Sequence, residues 1–256
     1  MIKNIFFYAL LLAATFSFVS CSDDADDADT TPTPATTNTI VDIASGENFT
    51  ILASALERAD LISTLQGEGP FTVFAPTNAA FEALLEELEL EGLDQVSDAQ
   101  LTQILLNHVV SGKVMSTDLE AGYVSTLANG AEDTKVSLLV DLSAGVKLNN
   151  RATVSTPDVE ADNGVVHVID RVLLLPNLVD AALSNPNFSI LVAALTDERL
   201  ADADFVNTLS GDGPFTVFAP TNAAFEALLA SNQAWNGLAD IPAATLEAVL
   251  KYHVIV

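Results

Sequence analysis

Basic residues are scarce in this chain: 9 Lys and Arg stand against 35 Asp and Glu, a formal net charge of −26 over 256 residues. Nucleic-acid binding rests on neutralising phosphates, so that field excludes DNA and RNA as natural partners. It also disfavours anionic membrane surfaces. Cysteine is scarcer still. A single one, Cys21, can close no intramolecular disulfide and build no multi-cysteine metal site. There are 3 histidines, and neither a G-x-S-x-G elbow nor an H-E-x-x-H zinc motif occurs. The N-terminal apolar run, Ile5 to Val19, falls short of the ~20 residues that a membrane-spanning helix needs. What is abundant is apolar: 50% of residues are hydrophobic and 17% charged, the balance of a chain that folds. The acidity admits three readings: solubility outside the cell, weak divalent-cation binding, or a solvated surface. The solvated surface is the simplest.

Lys3 and the run after it have the form of an export signal, and the run ends Phe18-Val19-Ser20-Cys21. Small residues before a lone cysteine resemble a bacterial lipobox, in which Cys21 is lipidated and becomes the mature N-terminus. The alternative is an unpaired thiol. Residues 22–29 are then mostly Asp, and 30–39 are rich in Thr and Pro. That composition describes a tether with nothing to bury, and the acidic run resembles the surface-export signal of lipoproteins from Bacteroidetes-type bacteria. The reading is a signal peptide over 1–20 and a tether over 21–38. A lipid anchor would be the only membrane contact.

One stretch is spelled twice. Residues 64–85 and 208–229 agree at all but two positions, at an offset of 144 residues. That offset is too long for a solenoid, so each copy belongs to its own globular body. In the first copy Gly67 to Pro70 is a turn cluster. Phe71-Thr72-Val73-Phe74 is a strand, closed by Pro76, and Thr77 or Asn78 caps the helix that follows. Phe81, Leu84, Leu85 and Leu88 give that helix one apolar stripe.

Upstream, 40–44 reads as a helical turn and 49–59 as an amphipathic helix. Ser97 to Gln100 has capping-box spacing and starts a helix that carries Leu101, Ile104, Leu105 and His108 on one face. A histidine so placed is a core residue before it is a ligand or base. Strands follow at 123–127, 135–140, 145–148, 152–155 and 164–174, with a tight turn at Asp162-Asn163-Gly164. Asp158, Glu160 and Asp162 alternate like a calcium loop. However, the glycine falls one place late and Ile169 stands where the distal Glu belongs, so no metal is expected.

The strings G-P-F-T-V-F-A-P-T-N-A-A-F (69–81), N-H-V-V around His108, and N-G-V-V-H-V-I-D-R-V-L-L-L-P (163–176) come in that order. Together they resemble a fasciclin domain: its first box, its histidine motif and its second box, the last carrying Gly164 and His167. The resemblance covers 39–176 and implies an α+β fold, a strand wedge or flattened barrel flanked by helices. A second copy begins near Asn177. It repeats the opening helix at Phe188 to Leu195, carries an insertion at Asp197 to Asp204, and repeats the histidine helix up to His253. By the first copy's spacing, 177–256 reads as an incomplete domain with an open strand edge, an aggregation liability. The expectation is that the protein continues past Val256 or that this copy is unstable alone.

The resemblance also implies an extracellular adhesion module. In animal matrix relatives integrin binding has been assigned to a Pro-Asp-Ile-like segment and to a Tyr-His motif. Here these positions are Pro157-Asp158-Val159 and Tyr252-His253, while the first copy has Asn107 where the tyrosine would stand. Each has a second reading: Pro157-Asp158 shapes a turn, and Tyr252-His253 packs a helix end. Three functions compete. The first is a surface adhesion or matrix protein, held at the outer membrane, that binds extracellular protein or glycan. The second is an envelope structural lipoprotein with no outside ligand, and the third an exported hydrolase. No catalytic residue or cofactor is singled out, so the enzyme reading is the weakest.

Overall fold

The computed structural model describes residues 38–130, 133–211 and 213–255. Cys21, the signal sequence and the tether lie outside the described residues. Thr39 opens the fold with a capping box: its hydroxyl accepts from the Asp42 amide, and the Asp42 carboxylate accepts from the Thr39 amide. Helices α1 (Ile40–Ala44), α2 (Thr50–Arg58) and α3 (Ile62–Leu65) follow, then strand β1 (Phe71–Pro76). Thr77 caps α4 (Asn78–Glu87) by accepting from the Ala80 amide at 3.2 Å, and Ser97 caps α5 (Asp98–Leu106).

Six more strands complete a closed barrel: β2 (Val109–Ser111), β3 (Gly122–Asn129), β4 (Lys135–Asp141), β5 (Lys147–Leu148), β6 (Ala152–Ala161) and β7 (Gly164–Ile169). Neighbours along the chain pair antiparallel, and β7 closes the barrel on β1 in parallel, Phe71 opposite Gly164 through Pro76 opposite Ile169. Gly164 is obligatory there, because a Cβ at that position would lie 2.0 Å from the Phe71 carbonyl oxygen. Asn163, in the two-residue turn before it, is buried. Its side-chain oxygen accepts from the Ile40 amide at 3.0 Å, and its amide donates to the Leu65 and Gly67 carbonyls. One polar side chain therefore ties the β6–β7 turn to α1 and α3.

Two cores result. Inside the barrel Phe74 packs with Leu138, Val140, Leu148, Ala152, Ile169 and Leu173. Between barrel and helices, Val73, Ala75 and Val166 meet Ile40, Leu52, Leu65 and Phe81. Adjacent residues of β1 thus serve opposite cores, as a strand's period of two requires.

The strand readings need two corrections. The strand expected at 152–155 runs on to Ala161, so Pro157-Asp158 lies inside β6 and makes no turn between elements. It sits at a bulge, with the register shifting on both sides of Thr156. The strand expected to reach Leu174 ends at Ile169. Beyond it Leu173 packs with the core around Phe74, and the Leu173 and Leu174 carbonyls accept from Asn107.

The C-terminal region holds α6 (Leu178–Ser184), α7 (Ser189–Leu195), α8 (Phe205–Ser210), β8 (Thr216–Val217), α9 (Asn222–Ala230), α10 (Ala243–Tyr252) and β9 (Val254–Ile255). The repeated stretch keeps the same long-range ties both times, although β8 has two residues where β1 has six. The Asn78 side chain accepts from the Ile51 amide and donates to the Glu47 carbonyl; Asn222 accepts from the Ile190 amide and donates to the Pro186 carbonyl. The Phe74 amide donates to the His108 carbonyl and the Phe218 amide to that of His253, each at 2.9 Å.

The insertion at 197–204 is more than a longer loop. Arg58 of α2 donates to the Leu93 and Val96 carbonyls and pairs with Asp98. Arg199, in the insertion, donates to the Leu238, Ala239 and Ile241 carbonyls and pairs with Asp197. The insertion supplies from a new position the guanidinium that clamps the same loop.

Candidate functional site

β6 bends at its bulge because Asp158 adopts a left-handed conformation, φ 59°, which aspartate tolerates better than most residues. The bend is held from three sides. The Asp158 carboxylate accepts from the Ser116 amide at 2.7 Å and, over a short contact, from the Ser116 hydroxyl. The Asp158 amide donates to His167 Nδ1 at 3.1 Å. His167 Nε2 lies 3.0 Å from the Val114 carbonyl, so it carries the ring's proton and donates there. Thr72 adds a fourth tie: its hydroxyl donates to the Gly112 carbonyl and accepts from the Val114 amide. Residues 112–116 are thereby bound to β1, β6 and β7 together.

Ser116, Asp158 and His167 are the residue types of a hydrolytic triad, but they are wired differently. The serine hydroxyl points to the carboxylate and not to the imidazole. Both ring nitrogens are spent on backbone groups, and the ring is fully buried against Phe74, with centroids 5.5 Å apart. Nothing here can take a proton from a nucleophile. Because Nδ1 accepts a hydrogen bond, its 3.9 Å approach to the Asp158 carboxylate is no ion pair. The Ser116 hydroxyl and amide hold the Asp158 carboxyl below its ordinary range against the opposing effect of burial.

His108 is equally occupied. Its Nδ1 donates to the Ile104 carbonyl at 2.7 Å and its Nε2 accepts from the Leu173 amide at 2.8 Å. Burial pushes it down to about 4. His253 repeats only the first of these contacts, with Nδ1 2.7 Å from the Val249 carbonyl.

The arrangement makes a rigid surface. Ser155, Thr156, Pro157 and Glu160 are exposed on β6, while Asp158 and Val159 turn partly inward. The three alternating acids do not converge: Asp158 faces Ser116, Glu160 pairs with Lys113 at 2.6 Å, and Asp162 accepts from the Asn38 amide. Beside the bulge a cleft of about 210 Å³ opens at the barrel mouth, lined by Thr72, Phe74, Val110, Val114 and Val124 with Asp118 and Glu120 at its rim. An apolar floor with a few acids at the edge suits binding better than chemistry.

Phe71, Thr72, Val73, Phe74 and Pro76 lie in β1, Thr77 caps α4 and Phe81 lies within it. Tyr252 is 89% exposed and meets only the edge of the His253 ring, at 6.3 Å between centroids. It sits beside the two-stranded sheet, whereas Asp158 belongs to the barrel. Sequence reasoning missed Ser116 and the role of Asn107. Asn107 is wholly buried: its side-chain oxygen accepts from the Thr126 hydroxyl at 3.2 Å while its amide holds the 173–174 carbonyls. The departure from tyrosine at that position was the available signal.

The fasciclin domain family model matches residues 47–176 and 186–256. Protein sll1483 of Synechocystis sp. is 45% identical over 54% of this chain and 74% of its own length. A second Synechocystis protein, sll1735, is 44% identical over 53% of this chain and 97% of its own. Human periostin is 31% identical over 78% of this chain, which spans only 23% of periostin. Among solved structures, the FAS1 domain pair of the insect cell adhesion molecule Fasciclin I aligns over 84% of this chain and 70% of its own, at 19% identity and a TM-score of 0.42. With its three sequence boxes folded into a closed barrel and the family model matched over both regions, the chain belongs to the fasciclin domain family.

Proposed function

We propose that this protein is a surface-anchored adhesion lipoprotein. Residues 1–20 are the export signal, Cys21 carries the lipid, and 21–38 are the tether. Residues 39–176 form one fasciclin domain, and 177–256 a second copy with counterparts of α1 to β2. The tether holds the domains off the outer membrane, where the first meets extracellular protein or glycan. The contact surface is the crest of β6 at Ser155-Thr156-Pro157 with the neighbouring barrel mouth. One observation carries this reading: the crest is exposed yet fixed by the Asp158–Ser116 pair and His167, so it offers a shape that costs little entropy to present. The engagement of all three histidines with backbone carbonyls supports a binding role over a hydrolytic one.

Protease treatment of intact cells tests the placement. Release of a fragment containing Ile40 to Ile255 without lysis is the expected result. Protection until the outer membrane is permeabilised would favour the structural envelope lipoprotein instead.

A further inference from the structure

Strands β2 and β3 pair at a single position, Val110 opposite Thr126, and residues 112–121 join them. The 210 Å³ cleft at the barrel mouth is lined from both strands and from that joining segment, and its side chains sort by depth. Thr72 and Phe74 form the floor, each 1% exposed. Val110, Val114, Leu119 and Val124 are half-buried walls, and Asp118 and Glu120 are exposed at the rim. The one hydroxyl in this lining is already committed: Thr72 donates to the Gly112 carbonyl at 2.7 Å and accepts from the Val114 amide at 2.9 Å. The two rim acids are not. Among the described residues neither belongs to an ion pair, and Lys113, the one basic residue of the joining segment, is taken by Glu160.

That layering selects the occupant. A sugar pushed into the cleft would set its hydroxyls against valine and phenylalanine, where they find no partner. An anion would meet two carboxylates and the field of a chain with net charge −26. A neutral apolar group fills the floor and gains nothing at the rim. We propose that the cleft takes a lysine side chain of a partner protein, its methylene stem against Phe74 and the valines and its ammonium at the rim between Asp118 and Glu120. Long basic side chains divide in this way between apolar surface and water. The compact ammonium of lysine needs no planar, two-pronged alignment, so two separate carboxylates serve it. The walls are fixed in advance, because Thr72 holds Val114 and Asp158 holds Ser116, so little ordering is left to the moment of binding. The proposal rests on the adhesion reading for the existence of a partner, and on the cleft alone for that partner's chemistry.

The test titrates the full chain, with labelled valine and leucine methyls, at one ionic strength with four probes. Butylammonium carries stem and charge, butan-1-ol the stem alone, methylammonium the charge alone, and butanoate the stem with the wrong charge. Butylammonium should shift the methyl resonances of Val110, Val114, Leu119 and Val124 saturably, and bind roughly threefold or more tightly than butan-1-ol. Methylammonium and butanoate should bind about tenfold more weakly than butylammonium, or not at all. Asp118→Asn/Glu120→Gln, at two exposed positions, should abolish the preference for butylammonium over butan-1-ol with no change in melting temperature. Equal affinity for butylammonium and butan-1-ol, equal shifts by methylammonium, shifts confined to other methyls, or a preference that survives the double variant would each overturn the proposal. Such a failure leaves the adhesion reading standing wherever the protein still binds extracellular partners through the crest of β6. Butylammonium in the cleft with no extracellular partner found would instead overturn the adhesion reading, and the partner's lysine with it.

Discussion

The Asp158 carboxylate and the Ser116 backbone amide lie 2.7 Å apart, 42 residues apart in sequence, and that contact fixes the bulge of β6. Removing the hydroxyl with Ser116→Ala keeps the amide bond and should cost about 1–2 kcal/mol; Asp158→Ala loses both bonds and should cost about 2–3. Urea unfolding of the two variants checks the ranking. Ser116→Ala as harmful as Asp158→Ala would assign the constraint to the hydroxyl alone. Since the Asp158 carboxyl is held below its ordinary range, this contribution is present above its unfolded pKa and is lost as pH falls through its lower folded value.

His108 gives the acid limb a second source. Its folded pKa of about 4 lies below the unfolded 6.5, so the unfolded chain binds the proton first. Stability should be level above pH 6.5 and fall by about 3 kcal/mol between there and pH 4 from this residue alone. His108→Gln should flatten that part of the stability–pH curve, whatever it does to stability at pH 7. An unchanged slope would show that the ring is not held neutral.

Phe74 and Phe218 stand in the same place in the repeated stretch, but Phe74 is 1% exposed and Phe218 62%. Phe74→Ala should cost about 3–5 kcal/mol by opening a cavity in the barrel. Phe218→Ala should stay within about 0.5 kcal/mol. Denaturant midpoints of the two variants decide it, and equal losses would mean that Phe218 is covered in solution.

Gly164→Ala sets a methyl against the Phe71 carbonyl across the strand pair that closes the barrel. A loss of about 3 kcal/mol or more is expected. The corresponding change at Gly112, whose Cβ would meet nothing within 4 Å, should be felt only through its positive φ of 99°, at about 1 kcal/mol.

Much of this was legible in the sequence. The duplicated stretch fixed β1, its turn and a helix cap at Thr77 or Asn78, because those features are local and chemically specific; the structure chooses Thr77. The inward placement of His108 followed from its spacing to Leu101 and Leu105. What stayed hidden depends on contacts distant in sequence. Ser116 looks like any loop serine until the barrel brings β6 to it. Proline within 152–161 read as a turn, since nothing local distinguishes a strand bulge from a turn at Pro157-Asp158. Val109–Ser111 is too short to announce itself as a strand, and it pairs because the fold brings β1 and β3 alongside. The role of Arg199 was out of reach as well: its partners are carbonyls some forty residues away.

The central claim is that the exposed crest of β6 is where the protein meets its neighbour. The most direct measurement is binding of the full-length protein to extracellular-protein and glycan arrays, comparing wild type with Thr156→Ala/Pro157→Ala, which leaves Asp158 and Ser116 in place. The account predicts at least a tenfold loss of binding on the positive spots at an unchanged melting temperature. Undiminished binding by that variant would contradict it.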